Sequence, residues 1–594
     1  MKKALTVFLP IYICLLLVVF LSSCSDSRHD LTDTTTETVT TEKIYKTNGA
    51  YNNTVKWKYD EASRTFSFSG TGKIDKDGNQ SVDNHGDYWT AGTESIKIEE
   101  GITDIDNNDF LIFEFAKTLY LPSSYSGSVP ELKNIEKYVV AENNSKYSSD
   151  KNGVLFNHDK TEIIRYPKGN TSEIYKIPDG VIHISYGAFD ESKYLKTVII
   201  PESLNDISRT VFDKSSIYSN PENWENDIFY VDTCLVRVDW ETTAEHIIVK
   251  DGIQTISPYA FNQCQNLKSI TIPDSVKTIG TGAFESCSSL EEIYIGSGVE
   301  KIEDMPFIFE VEGLPCSSLK SIEVSKDNKH YTSVDGVLFN REMTELIQYP
   351  IGKKQKEYVI PDSVTEIGNG AFRFCNELTK LTVGKGITVI ENSLLFHCEN
   401  IETVILPETF TKLDGGAFKY SGIKYIDIPD SVTYLGCEAM TGCDRLETVN
   451  IGKGVSFIHE IAIHSPMLKA VNVDSENGYF SDVDGVLFNK DKTELLLYPS
   501  NKSGEEYHIP GSVKTIKIGA LSYAKHLEKV YVGSGVEKIE EGNFYENTEY
   551  DESGYTEETN YEIYYDGTKR QWNKLFTNEY EREYIDKEKI KYLK

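Results

Sequence analysis

The chain of 594 residues lacks the short motifs on which several enzyme classes depend. It contains no G-x-S-x-G sequence of the kind that positions a hydrolase serine, and no Walker A loop for a nucleotide phosphate. Cysteine pairs at C-x-x-C spacing, which commonly bind zinc, are also absent. We therefore expect no catalytic residues, no cofactor and no metal site, and we expect that the protein is not an enzyme.

Positive charge is scarce as well. The 61 lysine and arginine residues face 93 aspartate and glutamate residues, which gives a formal net charge of −32 at pH 7. A polyanion of this size repels nucleic-acid phosphates and anionic lipid headgroups. The charge balance therefore argues against nucleic acid as a partner and against direct binding to a membrane surface.

Three features bear a weak likeness to chemical sites. The sequence HEIAIH at 459–464 has its histidines five residues apart, so on a helix they would lie about 140° apart instead of facing one metal. The sequence DVDG at 482–485 lacks the further oxygen ligands of a calcium loop. Asp274, Asp362 and Asp430 recur at one repeat position, which favours solvated corners over catalytic carboxylates.

The N-terminus has the pattern of an export signal. Lys2 and Lys3 precede an almost wholly apolar stretch, residues 4–20. The next residues, Leu21-Ser22-Ser23-Cys24, resemble the lipobox of bacterial lipoproteins, in which the cysteine is acylated and becomes the first residue of the mature chain. A plain secretory leader or an uncleaved membrane anchor is the alternative.

The lipobox resemblance implies a lipoprotein signal peptide over 1–23 and lipid attachment at Cys24. It further implies an extracytoplasmic, membrane-anchored bacterial lipoprotein at the cell surface, which touches the membrane only through its lipid. Residues 24–47 are polar, threonine-rich and without apolar periodicity, which predicts a disordered tether.

A segment of about 23 residues recurs through most of the chain. We call its anchor the apolar residue that directly precedes Pro or Gly, as in IPDSV and IGSGV. Anchors follow in regular steps at Val249, Ile272 and Ile295, and again at Ile360, Val383, Leu406, Ile428 and Ile451. Twelve residues after an anchor lies Phe110, Phe189, Phe212, Phe261, Phe284, Phe307, Phe372, Phe418 or Phe544, or else Leu395, Met440, Ile463 or Leu521. A period this strict indicates one supersecondary unit stacked on itself.

The composite turn, I-P-D-S-V-x-x-I-G-x-G-A-F-x-x-C-x-x-L-x-x-I-x, predicts a strand, a corner and a return segment. In LKSITIP, Leu267, Ile270 and Ile272 turn inward, and Pro273 ends the strand because it cannot donate a ladder hydrogen bond. Such a turn is too small to fold alone. The sequence therefore predicts a β-rich solenoid with a column of phenylalanines in its core.

A second repeat is interleaved with the first. NGVLFNHDKTEIIRYP (152–167), DGVLFNREMTELIQYP (335–350) and DGVLFNKDKTELLLYP (484–499) are near copies, and 227–240 is a degraded fourth. Each of the three near copies lies where the spacing of anchors lengthens to 36 or 37 residues. These cassettes have the pattern of β-hairpins, and we expect them to enlarge a turn of the stack. A dedicated binding element is the alternative.

The cysteines follow the repeat. Cys264, Cys287, Cys375, Cys398 and Cys443 each lie 15 residues after an anchor, and Cys316 takes the same slot once an insertion is removed. Residues in one slot point the same way, so we expect a buried column of thiols. The spacing of neighbouring turns does not forbid a bridge between Cys264 and Cys287, but parallel Cβ vectors are poor for its torsion and favour free thiols.

The motif I-P-x-x-V-x-x-I-G-x-x-A-F-x-x-C-x-x-L resembles the leucine-rich repeats of the BspA-like type, found in bacterial surface proteins. This resemblance implies a leucine-rich repeat solenoid over 96–545. Residues 48–95 resemble the N-terminal β module that precedes such repeats. Residues 546–594 are expected to form a C-terminal cap and charged tail, with Trp572 as its buried plug.

The surface of the predicted strands offers the candidate binding residues. Positions one and three before an anchor face outward and vary from turn to turn, as a recognition face would. The candidates are Glu292, Tyr294, Lys380, Thr382, Tyr425, Asp427, Lys529 and Tyr531. A solvated sheet that tolerates any residue is the alternative interpretation.

The resemblance implies adhesion to a protein or glycan ligand on host or neighbouring cells. We therefore expect a non-enzymatic surface protein that presents a solenoid face to a macromolecule. The alternative is a polysaccharide-capture component of a surface glycan-use system, in which Trp57, Trp89, Trp224 and tyrosine-rich strands stack on sugar rings. An exposed row of aromatic rings would favour that alternative, and buried tryptophans would count against it.

Overall fold

The computed structural model of the chain describes residues 48–52, 54–74, 92–105, 110, 113–204, 207–304, 315–390, 393–544, 546–551, 554–558, 561–576 and 585–594, with only the backbone of 546–558. Cys24, Trp89 and Phe307 lie outside these residues, as do the predicted signal peptide and tether.

Each turn places a strand directly before its anchor, and we call these the face strands. They pair in parallel with a strict register, in which Ile270 lies opposite Ile293, and Ile293 lies opposite Ile322. The face strands are Ser95–Ile98, Thr118–Leu121, Lys137–Val140, Ile174–Lys176, Thr197–Ile199, His246–Ile248, Ser269–Ile272, Glu292–Ile295, Ser321–Val324, Glu357–Val359, Lys380–Thr382, Thr403–Ile405, Tyr425–Ile428, Thr448–Ile451, Ala470–Val473, Glu506–His508, Lys529–Val532, Glu562–Tyr565 and Ile590–Tyr592. The predicted β-solenoid is confirmed.

A shorter strand follows the corner in most turns, and we call these the back strands. They also pair in parallel, for example Ile256 with Ile279. The back strands are Ile102–Ile105, His183–Ile184, Thr255–Ile256, Thr278–Ile279, Lys301–Ile302, Glu366–Ile367, Val389–Ile390, Lys412–Leu413, Tyr434–Leu435, Phe457–Ile458, Thr515–Ile516 and Lys538–Ile539. Two turns add a third pairing, between Met440–Thr441 and Ile463–His464.

The phenylalanine column lies in the core, as predicted. Its described members are at most 4% exposed. The ring centroids of Phe261 and Phe284 are 5.2 Å apart, and those of Phe189 and Phe212 are also 5.2 Å apart. Aromatic pairs at this separation attract beyond their burial of area. Each turn therefore covers the apolar ring of the next.

The cassettes form the expected hairpins, with one strand more than the sequence indicated. Val337–Asn340 pairs antiparallel with Glu345–Gln348, and also with a preceding strand, Tyr331–Val334. Asp335 and Gly336 join the first two strands with φ of 52° and 74°, which is the left-handed pair of a type I′ turn. The other cassettes are Tyr147–Ser149, Leu155–Asn157 and Glu162–Arg165; Trp224–Glu225, Ile228–Val231 and Cys234–Val238; and Phe480–Val483, Val486–Asn489 and Glu494–Leu497.

The last tyrosine of a cassette takes a place in the phenylalanine column. Tyr349 precedes Phe372 by one 23-residue period, and their ring centroids are 5.2 Å apart. Tyr166 and Phe189 repeat this contact at 5.4 Å. A cassette therefore enlarges one turn of the stack and leaves its aromatic column continuous.

A buried asparagine connects each of the three near-copy cassettes to the turn before it. The Asn144 amide donates to the carbonyls of Pro122 and Tyr125 at 2.7 and 2.8 Å. Its side-chain oxygen accepts from the backbone N–H groups of Lys146 and Tyr147 at 2.9 and 2.8 Å. Asn328 and Asn477 make the equivalent four bonds, and all three asparagines are at most 1% exposed.

Both ends of the stack carry additional elements. At the N-terminal end, Asn48–Ala50, Val55–Asp60 and Thr65–Gly70 form an antiparallel sheet, and Thr65–Gly70 also pairs in parallel with the first face strand. Gly72–Ile74 pairs with the first back strand. Short helical segments of the described chain include Ser216–Ser219, the 3₁₀ turn Pro221–Asn223 and Lys569–Trp572, and Glu546–Asp551 pairs antiparallel with Gly554–Glu558. Trp572 is fully buried, as predicted, with its ring centroid 5.2 Å from that of Tyr565.

The cysteine column is buried, and its thiols are free. Cys287 donates its S–H to the carbonyl of Phe261 at 3.1 Å, and Cys398 donates to Phe372 at 2.9 Å. Each acceptor belongs to the phenylalanine of an earlier turn, so these thiols add contacts between turns. Burial raises the pKa of Cys264, Cys316, Cys398 and Cys443 to about 12. The favoured prediction of free thiols is confirmed for the eight described cysteines.

Replacing Asn144 with alanine should loosen the first cassette. The change leaves two buried carbonyls without their donor, at a cost of about 2–4 kcal/mol. The adjacent Asn143 is exposed and provides a matched control. We expect faster hydrogen exchange over 122–165 in Asn144→Ala, and native exchange rates in Asn143→Ala. Equal exchange in the two variants would contradict the anchoring role.

The buried thiols should resist alkylation. Apart from Cys24, only the exposed Cys437 should react with iodoacetamide at pH 8 in the folded mature chain, and the column should react after denaturation. The folded chain should also lose stability as pH rises above about 9, because unfolded thiols ionise there and folded ones do not. Rapid labelling of Cys287 in folded protein, detected by peptide mass spectrometry, would contradict the buried column.

Candidate binding face

The eight candidate residues lie on the outer side of four face strands. Glu292, Tyr294, Tyr425 and Asp427 are exposed, whereas Lys380, Thr382, Lys529 and Tyr531 are half-buried. Side chains of a strand alternate between its two sides. The intervening residues Ile293, Leu381, Ile426 and Val530 are accordingly buried in the core. We call the outer side of the face strands the binding face.

The binding face does not gather the candidates into one local cluster. Glu292 and Tyr294 lie on a different sheet from Lys380 and Thr382, and a cassette intervenes between these strands in the chain. One face strand, Thr403–Ile405, lies between those of Lys380 and Tyr425 in the sequence. The Lys529 and Tyr531 pair comes later, beyond the third cassette. The arrangement therefore suits an extended contact more than a pocket.

Several candidates contact the equivalent residue of a neighbouring turn. Lys529 forms an ion pair with Glu506 at 2.6 Å, and this hydrogen bond raises the pKa of the lysine. Lys380 pairs with Glu357 at 3.4 Å. Asp427 accepts a hydrogen bond from the amide of Asn450 at 2.6 Å. These side chains are thus partly ordered before any partner arrives.

Aromatic rings stack at one end of the binding face. The rings of His508 and Tyr531 are parallel within 3°, with centroids 4.0 Å apart. Tyr564 continues the stack at 4.9 Å from Tyr531. Tyr531 therefore has both ring faces against neighbours and presents its edge.

Sequence reasoning missed the most protruding apolar residues of the binding face. Ile248 is 76% exposed and Val359 is 64% exposed, and Ile174 and Ile405 also project into solvent. All four lie one or three residues before an anchor. These are the positions from which the sequence predicted that Tyr294 faces outward. They were missed because charged and aromatic residues were preferred at those positions.

Runs of alternating charge lie beside the face strands, four residues before the anchors of consecutive turns, and they are interrupted at Thr379 and at the adjacent pair Glu505 and Glu528. Lys268 pairs with Glu245 at 2.8 Å, and Lys320 pairs with Glu291 at 2.6 Å. The hydrogen bond from Lys320 is the main cause of the lowered pKa of Glu291, and the positive charge of Lys320 is the second cause. A second set repeats this order at Glu402, Lys424, Glu447 and Lys469. Exposed pairs of this kind contribute little stability each.

Two of the three tryptophans considered for sugar stacking are described. Trp57 is half-buried and stacks on Phe66 at 5.3 Å. Trp224 is half-buried, donates its indole N–H to the carbonyl of Tyr218 at 2.8 Å, and packs on Phe229. Both rings are therefore engaged within the protein.

The weak chemical motifs have structural roles. In HEIAIH, residues 459–464, no helix forms: the segment runs from a turn into the strand Ile463–His464, and burial lowers the pKa of His464. In DVDG, Asp484 and Gly485 make the hairpin turn, with φ of 51° and 77°. No group of three potential metal ligands occurs in the part of the chain that the structure describes.

The recurring corner aspartates join successive turns. Asp274 accepts from the backbone N–H of Ser297 at 2.6 Å, and Asp362 accepts from that of Lys385 at 3.0 Å. The Ser297 N–H is the leading cause of the lowered pKa of Asp274. Asp430 repeats the bond to Lys453 at 3.1 Å. These carboxylates hold the corner of the following turn.

None of the helices described here has the length and apolar character needed to span a bilayer.

Several proteins of known structure are similar to this chain. A leucine-rich repeat protein from Eubacterium ventriosum shares 15% identity over 84% of this chain and 87% of its own, with a TM-score of 0.29. A leucine-rich cell surface protein from Faecalibacterium prausnitzii shares 16% over 89% and 97%, with a TM-score of 0.29. The pneumococcal vaccine antigen PcpA shares 17% over 83% and 96%, with a TM-score of 0.30.

No curated protein sequence matches the chain. The sequence profile of the BspA type leucine-rich repeat region matches residues 166–231, 240–352, 351–468 and 498–563, which together make up more than half of the chain. The periodic face strands and the buried phenylalanine column account for this match. The chain belongs to the BspA type leucine-rich repeat family.

Proposed function

We propose that this chain is a non-enzymatic surface protein that binds a protein partner through its binding face. The observation that carries the proposal is the contrast between the two sides of the face strands. Inward positions repeat from turn to turn and are buried, whereas outward positions vary and include large exposed side chains such as Ile248 and Tyr294. Variation confined to one side of a rigid sheet is what recognition requires.

The composition of the binding face supports a protein partner. Tyr294, Tyr425, Ile248 and Val359 project apolar surface between charged neighbours. Tyrosine provides contact area with few rotatable bonds, and aromatic residues are enriched in protein interfaces. The ordered contacts of Lys380, Asp427 and Lys529 lower the entropic cost of binding.

The aromatic geometry gives less support to polysaccharide capture. A sugar ring stacks on the flat face of an aromatic ring. Tyr531 uses both faces on His508 and Tyr564, while Trp57 and Trp224 pack against their own protein. A protein partner is therefore preferred to a glycan.

The predicted export signal and the lipobox-like Cys24 support a location at the cell surface. Acylation at Cys24 would anchor the chain, and the polar residues 24–47 would hold the solenoid away from the membrane. The negative charge of the chain agrees with this arrangement, because it opposes adsorption to anionic headgroups.

Removing three tyrosines from the binding face should abolish much of the binding. The variant Tyr294→Ser, Tyr425→Ser, Tyr531→Ser is compared with Tyr186→Ser, Tyr479→Ser, whose tyrosines are exposed but lie off the face strands. On an array of purified matrix proteins and glycans, we expect the face variant to lose about tenfold or more in affinity for a bound protein.

The control variant should bind as the mature chain does, with both variants folded by circular dichroism. An equal loss in the control would place recognition elsewhere. Retention of signal on glycan spots alone would favour the polysaccharide alternative.

The lipid anchor has a separate test. Cys24→Ala should move the protein from the membrane fraction to the soluble fraction of expressing bacterial cells, because the acyl chains lose their attachment residue. Fractionation and metabolic labelling with an alkynyl fatty acid measure this directly. Unchanged membrane association together with absent label would instead indicate an uncleaved N-terminal anchor.

A further inference from the structure

The third cassette leaves a cavity beside the turn that precedes it. The cavity has a volume of about 420 Å³ and lies between the back strand Phe457–Ile458 and the strands Phe480–Val483 and Glu494–Leu497. This volume is within the range of about 300–1,000 Å³ typical of ligand sites. The cavity lies away from the binding face, because it opens at the back strands.

One side chain distinguishes this cassette from the other two near copies. Three residues after the buried asparagine, the first two cassettes have Tyr147 and Tyr331, and the third has Phe480. The Tyr147 hydroxyl donates to the carbonyl of Gly127 at 2.7 Å. The Tyr331 hydroxyl accepts from the backbone N–H of Ile302 at 2.9 Å. Phe480 has no hydroxyl with which to reach the preceding turn.

The residue equivalent to Ile302 in the third cassette is Ile458, which also ends a back strand. The neighbouring N–H groups of Phe457 and His459 donate to Thr433 and Leu435 of the preceding turn. Successive N–H groups of a strand point to opposite edges of the strand. The N–H of Ile458 therefore points away from the preceding turn and toward the cavity. No acceptor among the residues that the structure describes receives it.

The cavity walls are apolar. Ile463 and Leu487 form its buried base, and Phe457, Phe480 and Leu496 line its sides. The Phe457 ring is held by stacking on Tyr434, with centroids 4.8 Å apart and planes within 10°. A preformed wall of this kind suits a large apolar side chain, because burial of apolar area is favourable and costs no rearrangement.

The rim of the cavity is acidic. Glu460 and Glu494 lie on it together with Lys517. Lys517 forms an ion pair with Glu540 at 2.9 Å, and Lys538 reaches the same carboxylate at 2.7 Å. In the described part of the chain, neither Glu460 nor Glu494 forms a direct ion pair. Both act on Lys517 at longer range, because against the effect of burial Glu540 first, and then these two carboxylates, raise the pKa of that lysine. The rim therefore favours a cation close to the apolar cavity.

We propose that this cavity binds an extended segment of a partner protein in which a large apolar side chain is followed by lysine or arginine. The apolar side chain enters the cavity, a main-chain carbonyl of the segment accepts from the N–H of Ile458, and the cation lies between Glu460 and Glu494. This site is independent of the binding face and would add a second contact for a partner.

The probe is the peptide Ac-Phe-Arg-NH2, titrated into the mature chain and followed by isothermal titration calorimetry. We expect Ac-Phe-Glu-NH2 and Ac-Ala-Arg-NH2 to bind at least about fivefold more weakly, because each lacks one of the two features. Equal binding of all three peptides would overturn the proposal.

Three variants test the parts of the site separately. Phe480→Tyr supplies the hydroxyl that occupies the Ile302 N–H in the second cassette, so we expect it to weaken peptide binding while the fold is kept. Leu496→Trp fills the cavity and should abolish binding. Glu494→Gln should weaken Ac-Phe-Arg-NH2 about fivefold relative to Glu241→Gln, whose glutamate is exposed and distant.

Unchanged affinity in Phe480→Tyr and Leu496→Trp, both folded by circular dichroism, would overturn the proposal. The tyrosine variant of the binding face provides the remaining comparison. It should bind Ac-Phe-Arg-NH2 as the mature chain does, so failure of this site and failure of the binding face can be told apart.

Discussion

The structure depends on contact between equivalent residues of successive turns. With a register of 23 residues, every slot must pack against its own copy above and below, as Phe261 packs against Phe284. Apolar slots satisfy this condition easily, and they form the core. Polar slots satisfy it only through complementary pairs, which explains the bond from Asp274 to the next corner and the thiol-to-carbonyl bond of Cys287. Stability is thus distributed along the stack in nearest-neighbour contacts.

The cassettes show how an insertion can respect that condition. Tyr349 keeps the aromatic column continuous by preceding Phe372 by one period, and Asn328 satisfies four polar groups where the chain leaves the regular turn. The third cassette keeps both the column tyrosine and the buried asparagine, but it has Phe480 where the second cassette has the bridging tyrosine. The missing hydroxyl leaves the N–H of Ile458 beside the cavity without the partner that Tyr331 gives to Ile302, with no change of the fold.

Periodicity in the sequence was enough to predict the solenoid, the buried phenylalanines, the free thiols and the outward direction of residues such as Tyr294. These features follow from the slot that a residue occupies. The leading strand Tyr331–Val334 was not predicted, because its YTSV sequence has little apolar alternation. The partners of polar groups were not predictable either. Whether Ile458 keeps a free N–H depends on a side chain 22 residues away, which no local pattern reveals.

In a run of alternating charges beside the face strands, the charges that become neighbours depend on how many turns are lost or gained. Deleting the single turn that carries Lys268 would bring Glu245 against Glu291, and duplicating it would set two lysines side by side. Loss or gain of two turns restores the alternation. Within such a run, the duplication of turns in pairs therefore keeps each lysine beside a glutamate, whereas Glu505 and Glu528 show that two like charges can also lie on adjacent turns.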